Sequence, residues 1–339
     1  MAALTATSVF AQSSVTLSGQ IDVGLSNPIG ADRTRIDQSA NGANQIVFSG
    51  SEDLGGGLRA TFRLAERFSP ESGLNDGSNA NRPLFQGEST VGIAGTFGAL
   101  RIGRALTAFQ GPINNTDPWG TLQQASLAVL TTAYASAPDN YAFTPGAGGV
   151  ATLTGTGGNL GRSDGIFYTA PNWNGFGGAL TYGPKSTQVT GLVTTGDKAL
   201  LSGWLSYGAG PMSLAIGAER NRIGDRIAAV QGSYNFGFAT LGGTYAQTDY
   251  DAAGAADRRS FNVSAVAPMG AFTLKAGVGR SKLKDGPSTV RKIGLGVDYS
   301  MSKRTLIYTS WARDNGVSAS TGLSASPKTG FDIGIRHNF

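Results

Sequence analysis

The last nine residues of the chain, 331–339, alternate apolar and polar side chains. Successive side chains of a strand point to opposite faces, so this pattern predicts a strand with one apolar and one polar face. Chain termini fray unless they are paired, and the pattern therefore predicts pairing with the first strand, residues 15–25, and a closed sheet. The alternative is an edge strand of a soluble sandwich. The apolar face holds Phe331, Ile333, Ile335 and Phe339, and the polar face holds Asp332, Gly334, Arg336 and Asn338.

The composition favours the closed sheet over the sandwich. Charged residues make up 14% of the chain, against roughly 25% in ordinary globular proteins. No segment approaches the ~18 apolar residues of a membrane helix. A chain whose apolar residues recur at every second position can still cross a membrane, because a closed barrel satisfies its backbone hydrogen bonds internally.

Short turns and long loops alternate along the chain. Sixteen strands result from seven turns and eight loops, and this asymmetry is typical of outer-membrane barrels, whose turns face the periplasm. We therefore predict an all-β fold, a 16-stranded antiparallel transmembrane β-barrel. The turns centre on residues 52–57, 96–98, 172–175, 208–211, 235–237, 268–270 and 300–304, and the loops on 27–44, 68–87, 105–161, 183–198, 221–226, 248–259, 281–290 and 314–329.

The third loop, residues 105–161, is too long to be an idle connection, since loops beyond about 15 residues are usually functional or disordered. A sixteen-strand barrel encloses an aqueous lumen. We expect this loop to fold into the lumen and to narrow it, which would place the selectivity of a channel there.

The first residues resemble the end of a secretory signal. Val9-Phe10-Ala11 has the small-residue pattern of a signal-peptidase site, with Gln12 as the first mature residue. We predict a residual signal peptide over residues 1–11 and a barrel over residues 12–339. The alternative is a disordered terminus.

Four segments carry a family resemblance. They are residues 13–22 (SSVTLSGQID), residues 50–58 (GSEDLGGGL), residues 101–104 (RIGR) and residues 334–339 (GIRHNF). In this order they resemble the general diffusion porins of beta-proteobacterial and neisserial type. The resemblance implies an outer-membrane homotrimer, a third loop folded into the pore, and a terminal aromatic residue, Phe339, that the barrel-assembly machinery reads as an assembly signal. Contacts with outer-membrane lipid and lipopolysaccharide are expected for such a protein.

A water-filled pore of this kind passes ions and small hydrophilic solutes by passive diffusion. Strand phase predicts a basic wall, and Asp117 and Asp139 lie on the long loop opposite to it. A basic wall that faces an acidic loop creates a transverse field, which favours small anions mildly because water screens the charges. The polar-phase cations are Arg59, Arg63, Arg101, Lys275 and Arg336.

Distance from the turns ranks the candidate selectivity residues. Arg63 and Arg104 lie about six residues from a turn, around mid-barrel, and are the first choices. Arg59 and Arg101 are expected near the periplasmic mouth. Arg162 closes the long loop, and we expect it to face the pore at the start of strand six.

Two strands of the chain depart from the family pattern. Relatives usually carry a basic residue in strand two, where this chain has Gln45, and often another in strand four, where it has Gly87 and Glu88. Gln45 and Arg63 are counted about equally far from the shared turn. We therefore hypothesise that Arg63 supplies the missing charge.

Other functions find little support. The alternatives are an outer-membrane barrel that acts as an adhesin or as an enzyme, yet the chain has one histidine and no cysteine. We therefore assign no catalytic residue, cofactor or metal ligand, although loop carboxylates would suit loose Ca²⁺ sites. The net charge of +5 is scattered rather than clustered, so we expect no nucleic-acid partner.

Overall fold

The computed structural model describes residues 14–38, 41–75, 84–112, 115–119, 123–127, 161–185, 188–189, 192–193, 198–222, 224–251, 257–284, 289–315 and 328–339. The predicted signal segment 1–11 and Asp139 lie outside these ranges. Within them, no helix has both the length and the apolar character that a membrane crossing requires.

Sixteen strands form the wall of the molecule, as the alternating turns and loops predict. The first eight are β1 (Ser14–Asn27), β2 (Gln45–Gly55), β3 (Leu58–Ser69), β4 (Glu88–Gly95), β5 (Gly98–Leu106), β6 (Arg162–Thr169), β7 (Phe176–Gly183) and β8 (Leu200–Ala209). The second eight are β9 (Met212–Arg220), β10 (Arg226–Asn235), β11 (Thr240–Asp249), β12 (Arg258–Met269), β13 (Phe272–Leu283), β14 (Thr289–Ser300), β15 (Thr305–Asp314) and β16 (Lys328–Asn338). Short strands in the loops are Arg35–Gln38, Leu74–Asn75, Gln188–Val189 and Leu192–Val193.

Each strand pairs antiparallel with the next along the chain, and the last strand pairs with the first. In the closing seam Val23 of β1 lies opposite Ile335 of β16, and Gln20 lies opposite Asn338. The backbones of Gly19 and Phe339 exchange two hydrogen bonds of 3.0 Å. The predicted pairing of the first and last strands is confirmed, and the sheet has no free edge along this seam.

Seven short connections lie at one end of the barrel, and the connections at the other end are longer on average, as predicted. The short connections span residues 56–57, 96–97, 170–175, 210–211, 236–239, 270–271 and 301–304. Outer-membrane barrels place their short turns in the periplasm, so this end is periplasmic and the long loops are extracellular.

The outer surface is apolar and carries aromatic pairs at the short-turn end. Ring centroids lie 4.6 Å apart for Phe176 and Tyr207 and 4.9 Å apart for Phe272 and Tyr299. Such aromatic girdles mark the membrane interfaces of transmembrane barrels. The exposed apolar side chains, such as Ile102 at 57%, therefore face lipid between the girdle and the extracellular rim.

Polar contacts reinforce the inner side of the seam. The Tyr308 hydroxyl of β15 donates to Asp22 Oδ1 at 2.6 Å, and Asp22 Oδ2 accepts from the backbone N–H of Asn41 at 2.5 Å. Arg336 donates to the carbonyl of Asn41 at 3.0 Å. Because Asp22 is fully buried, these partners compensate its removal from water. The end of the first loop therefore ties together β1, β15 and β16.

We expect Gly334→Val to destabilise the barrel at this seam. A side chain at Gly334 would meet the Tyr308 ring, whose Cζ lies 2.6 Å from an added Cβ, and such overpacking costs about 1–3 kcal/mol. The measurement is the temperature at which the protein loses its folded mobility in SDS gels. Gly208→Val is the control, because an added Cβ there meets nothing within 4 Å. Equal transition temperatures for the two variants would contradict the expectation.

Candidate functional site

The barrel interior is lined by polar and small side chains. On β1 the inward phase holds Thr16, Ser18, Gln20 and Asp22, opposite the exposed Val15 and Leu17. Because side chains alternate across the pleat, the strands present mainly polar and small side chains inward and mainly apolar side chains to the membrane. The enclosed surface is therefore that of an aqueous lumen.

The described residues of the long third loop lie inside this lumen, as predicted. Its start is fixed to β7, β8 and β9, because the backbone N–H of Ala108 donates to Thr181 Oγ1 at 2.9 Å and that of Phe109 donates to Ser202 Oγ at 2.8 Å. The Thr107 hydroxyl donates to Glu219 Oε2. Wall side chains thus satisfy backbone donors that the loop would otherwise bury unpaired.

The loop continues along the same wall toward the seam. Thr116 and Thr244 of β11 share a hydrogen bond of 2.5 Å, the backbone N–H of Gln124 donates to Asp332 of β16 at 2.6 Å, and Lys292 of β14 donates to the Ser126 carbonyl at 2.7 Å. The described parts of the loop therefore cover the inner face from β7 to β16.

Aromatic side chains of the loop pack against inward-facing glycines of the wall. Phe109 lies over Gly217 of β9, where an added Cβ would be 3.1 Å from the ring. Trp119 lies over Gly277 and Gly294 of β13 and β14, with the corresponding distances at 3.1 Å. Both aromatic side chains are about 1% exposed. Any larger residue at these glycines would push the loop away from the wall.

The wall that the described loop residues leave uncovered carries cations. Arg59 and Arg63 project inward from β3, and Arg101 projects inward from β5. Glu88 of β4 lies between them, with its Oε2 at 3.0 Å from Arg63 Nε and its Oε1 bonded to Arg101. Arg63 and Arg101 therefore share one carboxylate on this side of the lumen, while Arg59 lies opposite Asp53 in the strand ladder.

A family model described as Gram-negative porin matches residues 1–318. The chain belongs to the Gram-negative porin family. Outer membrane porin protein 32 of Delftia acidovorans is 31% identical over 361 residues, which cover 97% of this chain and 95% of that protein. Major outer membrane protein P.IB of Neisseria lactamica is 23% identical over 99% of this chain and 97% of its own length.

A solved structure described as an anion-selective porin from Comamonas acidovorans superimposes with a TM-score of 0.76. It is 27% identical and covers 97% of this chain and 100% of its own. The predicted family, outer-membrane location and channel function are thereby confirmed, and the porin is not an enzyme.

Asp117 does not face the pore as an acidic counterpart to the basic wall. It is 7% exposed, and its carboxylate accepts hydrogen bonds from the backbone N–H groups of Trp119 and Leu127, each at 3.1 Å, and from the Ser126 hydroxyl. The structure therefore places Asp117 inside the loop rather than on its surface, and its role in selectivity stays a prediction. Its carboxylate links the segments around Trp119 and Leu127. The composition of the loop alone did not predict this structural role.

The strand register corrects the predicted heights of three residues. Arg67 of β3, not Arg63, lies opposite Gln45, and Arg63 lies opposite Ser49. The partner of Gln45 therefore lies four residues further along β3 than the distance from the turn predicts. Arg101 was expected near the periplasmic mouth, well below Arg63, yet both contact Glu88. Arg67 continues the inward phase of Arg59 and Arg63, so the sequence contained the signal that could have identified it.

Arg104 and Arg162 pack near the extracellular rim of the porin wall. Arg104 shares the phase of Leu100 and Ile102, which are exposed on the outer surface, and donates to the Gln86 carbonyl at 3.3 Å. Arg162 is 7% exposed and donates to the Gly87 carbonyl at 2.5 Å. These positions differ from the predicted pore-facing ones. The cause is the segment 84–87, which returns to the rim and receives both side chains.

Lys275 and Arg336 face the lumen as the phase predicted. Lys275 of β13 forms an ion pair of 2.6 Å with Asp298 of β14, and both side chains are largely buried. Arg336 is bonded to Asn41. Because these cations lie in contacts with the wall, they offer less free charge to a passing ion than their position alone suggests.

We expect Gly294→Val to displace the third loop and to reduce single-channel conductance. An added Cβ would lie 2.6 Å from the Ala125 carbonyl oxygen and 3.1 Å from the Trp119 ring, so the loop must move toward the pore axis. Conductance steps in planar bilayers measure the effect, and Gly208→Val, which also faces the lumen, is the control. A conductance equal to that of the control would exclude a displaced loop.

Proposed function

We propose that the porin passes ions and small hydrophilic solutes by passive diffusion, with a mild preference for anions. The observation that carries the preference is the basic wall, where Arg63 and Arg101 share the carboxylate of Glu88 and Arg59 has the same inward phase as Arg63. Two of these guanidinium groups are bonded to Glu88, so the group retains a net positive charge. A net positive charge beside an aqueous path raises the local anion concentration.

The magnitude of this preference follows from Coulomb's law. In water, a unit charge about 7 Å from a passing ion changes the energy of that ion by about 0.6 kcal/mol, a factor of roughly three. Salt screens the interaction further. The wall therefore supports selection between ion signs without exclusion of either, and the anion-selective relative described above is consistent with that expectation.

The assembly of the porin is part of the same proposal. We propose a homotrimer, a secretory signal over residues 1–11, and recognition of Phe339 by the barrel-assembly machinery. Support for the last comes from the position of Phe339, which is 40% exposed at the periplasmic end of the closing strand. A related fold from Vibrio cholerae with a TM-score of 0.64 is described in a trimer form.

Glu88→Gln is expected to increase anion selectivity, because Arg63 and Arg101 lose their neutralising partner. We expect the anion-to-cation permeability ratio to rise about two- to threefold, and Arg63→Gln to lower it. Reversal potentials across a salt gradient give the ratio. Arg226→Gln, on the outer face of β10, removes a cation without changing the lumen and is the matched control. An unchanged ratio in both lumen variants would remove the basic wall as the origin of selectivity.

The channel itself is tested by reconstitution. Folded protein added to a planar bilayer is expected to produce stepwise, voltage-independent conductance increments, since an open aqueous lumen conducts without an energy source. The same protein after heat unfolding in SDS is the control and should produce no steps. Failure of the folded protein to conduct would contradict the proposal.

A further inference from the structure

One partly exposed aromatic side chain of the barrel wall faces the lumen. Trp204 of β8 shares the inward phase of Ser202, which binds the third loop, whereas its neighbour Leu205 is exposed to lipid. Trp204 itself is partly exposed. Among the described residues of the sixteen strands, the other inward-facing aromatic side chains are Phe167 and Tyr308, which are 3% and 1% exposed. Trp204 is therefore the aromatic ring that this part of the wall offers to a solute.

The indole ring of Trp204 lies against small residues of the wall. A Cβ added at Gly177 of β7 would lie 3.7 Å from the ring. A Cβ added at Gly217 of β9 would lie 3.2 Å from Trp204 Cβ and 3.1 Å from the Phe109 ring of the third loop. Ala179 of β7 lies directly opposite Trp204 in the ladder. The ring therefore extends from β8 over β7, beside the point where the third loop meets the wall.

A band of small side chains joins Trp204 to the basic wall. Arg59 of β3, which is exposed, and Trp204 lie in one row of the strand ladder. The residues between them in that row are Ala94, Ala99, Thr169 and Ala179. Because none of these residues is larger than threonine, the wall between the cation and the indole ring is a smooth surface on which a flat molecule can lie.

The two ends of this row attract different parts of a solute. Aromatic rings attract one another through offset or edge-to-face contacts, beyond the effect of the area that they bury. The positive potential of the basic wall raises the concentration of anions beside it. A solute that carries both a planar ring and a negative charge uses both features, whereas an aliphatic anion of the same charge uses only one.

We propose that Trp204 and the adjacent band of small residues form a binding subsite for aromatic carboxylates that pass through the pore. The ring of the solute stacks on the indole ring, and its carboxylate stays in the aqueous lumen on the side of Arg59. Binding at such an open site is weak, as transport requires, because a solute must also leave the site. This inference deepens the proposed channel function and rests on it.

The test uses full-length folded protein in planar bilayers, with 3-phenylpropionate as the probe and the current carried by potassium chloride. The matched acid is 3-cyclohexylpropionate, which has the same chain and charge but a ring that is not planar. We expect 3-phenylpropionate to block half of the current at a concentration about three- to fivefold lower than the matched acid does. The neutral amide of the probe keeps the ring and is expected to block more weakly than the probe.

Substitutions at Trp204 separate stacking from general apolar contact. Trp204→Leu should raise the half-blocking concentration of 3-phenylpropionate about three- to fivefold and leave that of the cyclohexyl acid nearly unchanged. Trp204→Phe keeps an aromatic ring and should restore most of the block. The matched control is Trp311→Leu, the same substitution at a residue on the lipid face, and it should be blocked as the unaltered protein is.

Equal half-blocking concentrations of the two acids would overturn the inference, as would equal block by the probe and its amide. Both comparisons use the unaltered protein, so they decide the matter even where Trp204→Leu fails to fold. A lower chloride conductance in Trp204→Leu, with an unchanged ratio between the two acids, would assign Trp204 to the support of Phe109 and would also overturn it. The absence of conductance steps before any acid is added is a different result, which would contradict the channel itself.

Discussion

The structure depends on closing every backbone hydrogen bond within the sheet. In a bilayer an unpaired N–H or C=O group costs several kcal/mol, so sixteen strands are stable there only as a closed ring. The exchange of hydrogen bonds between Gly19 and Phe339 completes that ring. Once the ring is closed, the two-residue period of the strands separates the molecule into a lipid face and a lumen.

Attachment of the third loop gives the lumen two different sides, one covered by the loop and one lined by arginines. Hydroxyl and carboxylate groups of β7–β16 bind the loop, and glycines beneath Phe109 and Trp119 let it lie close to the wall. The polar groups on that side are used for attachment. On the opposite wall Arg63 and Arg101 share Glu88, and Arg59 lies opposite Asp53. The charge available to solutes is concentrated there because these arginines outnumber the carboxylates beside them.

The alternation of side chains along each strand correctly predicted that Arg59, Arg63 and Arg101 face the lumen. The number of residues between each cation and the nearest turn did not predict which side chains it contacts. Arg63 and Arg101 converge on Glu88 because strand stagger brings positions of unequal count to a similar height. Glu88 stands where relatives often carry a basic residue, and the structure shows that it links Arg63 and Arg101. The position of Asp117 on the long loop predicts a charge that faces the pore. In the structure its carboxylate accepts hydrogen bonds from buried backbone N–H groups of the loop.

The sequence by itself determined the closed barrel, the number of strands, the face on which most strand residues lie and the entry of the third loop into the lumen. Those properties follow from the two-residue periodicity of the strands and from the lengths of the turns and loops, which are local features of the sequence. Tertiary structure alone decided which charges meet. Register, loop path and the position of segment 84–87 depend on contacts between residues far apart in sequence. These contacts decide which arginines line the lumen and which are buried at the rim or turned toward the membrane.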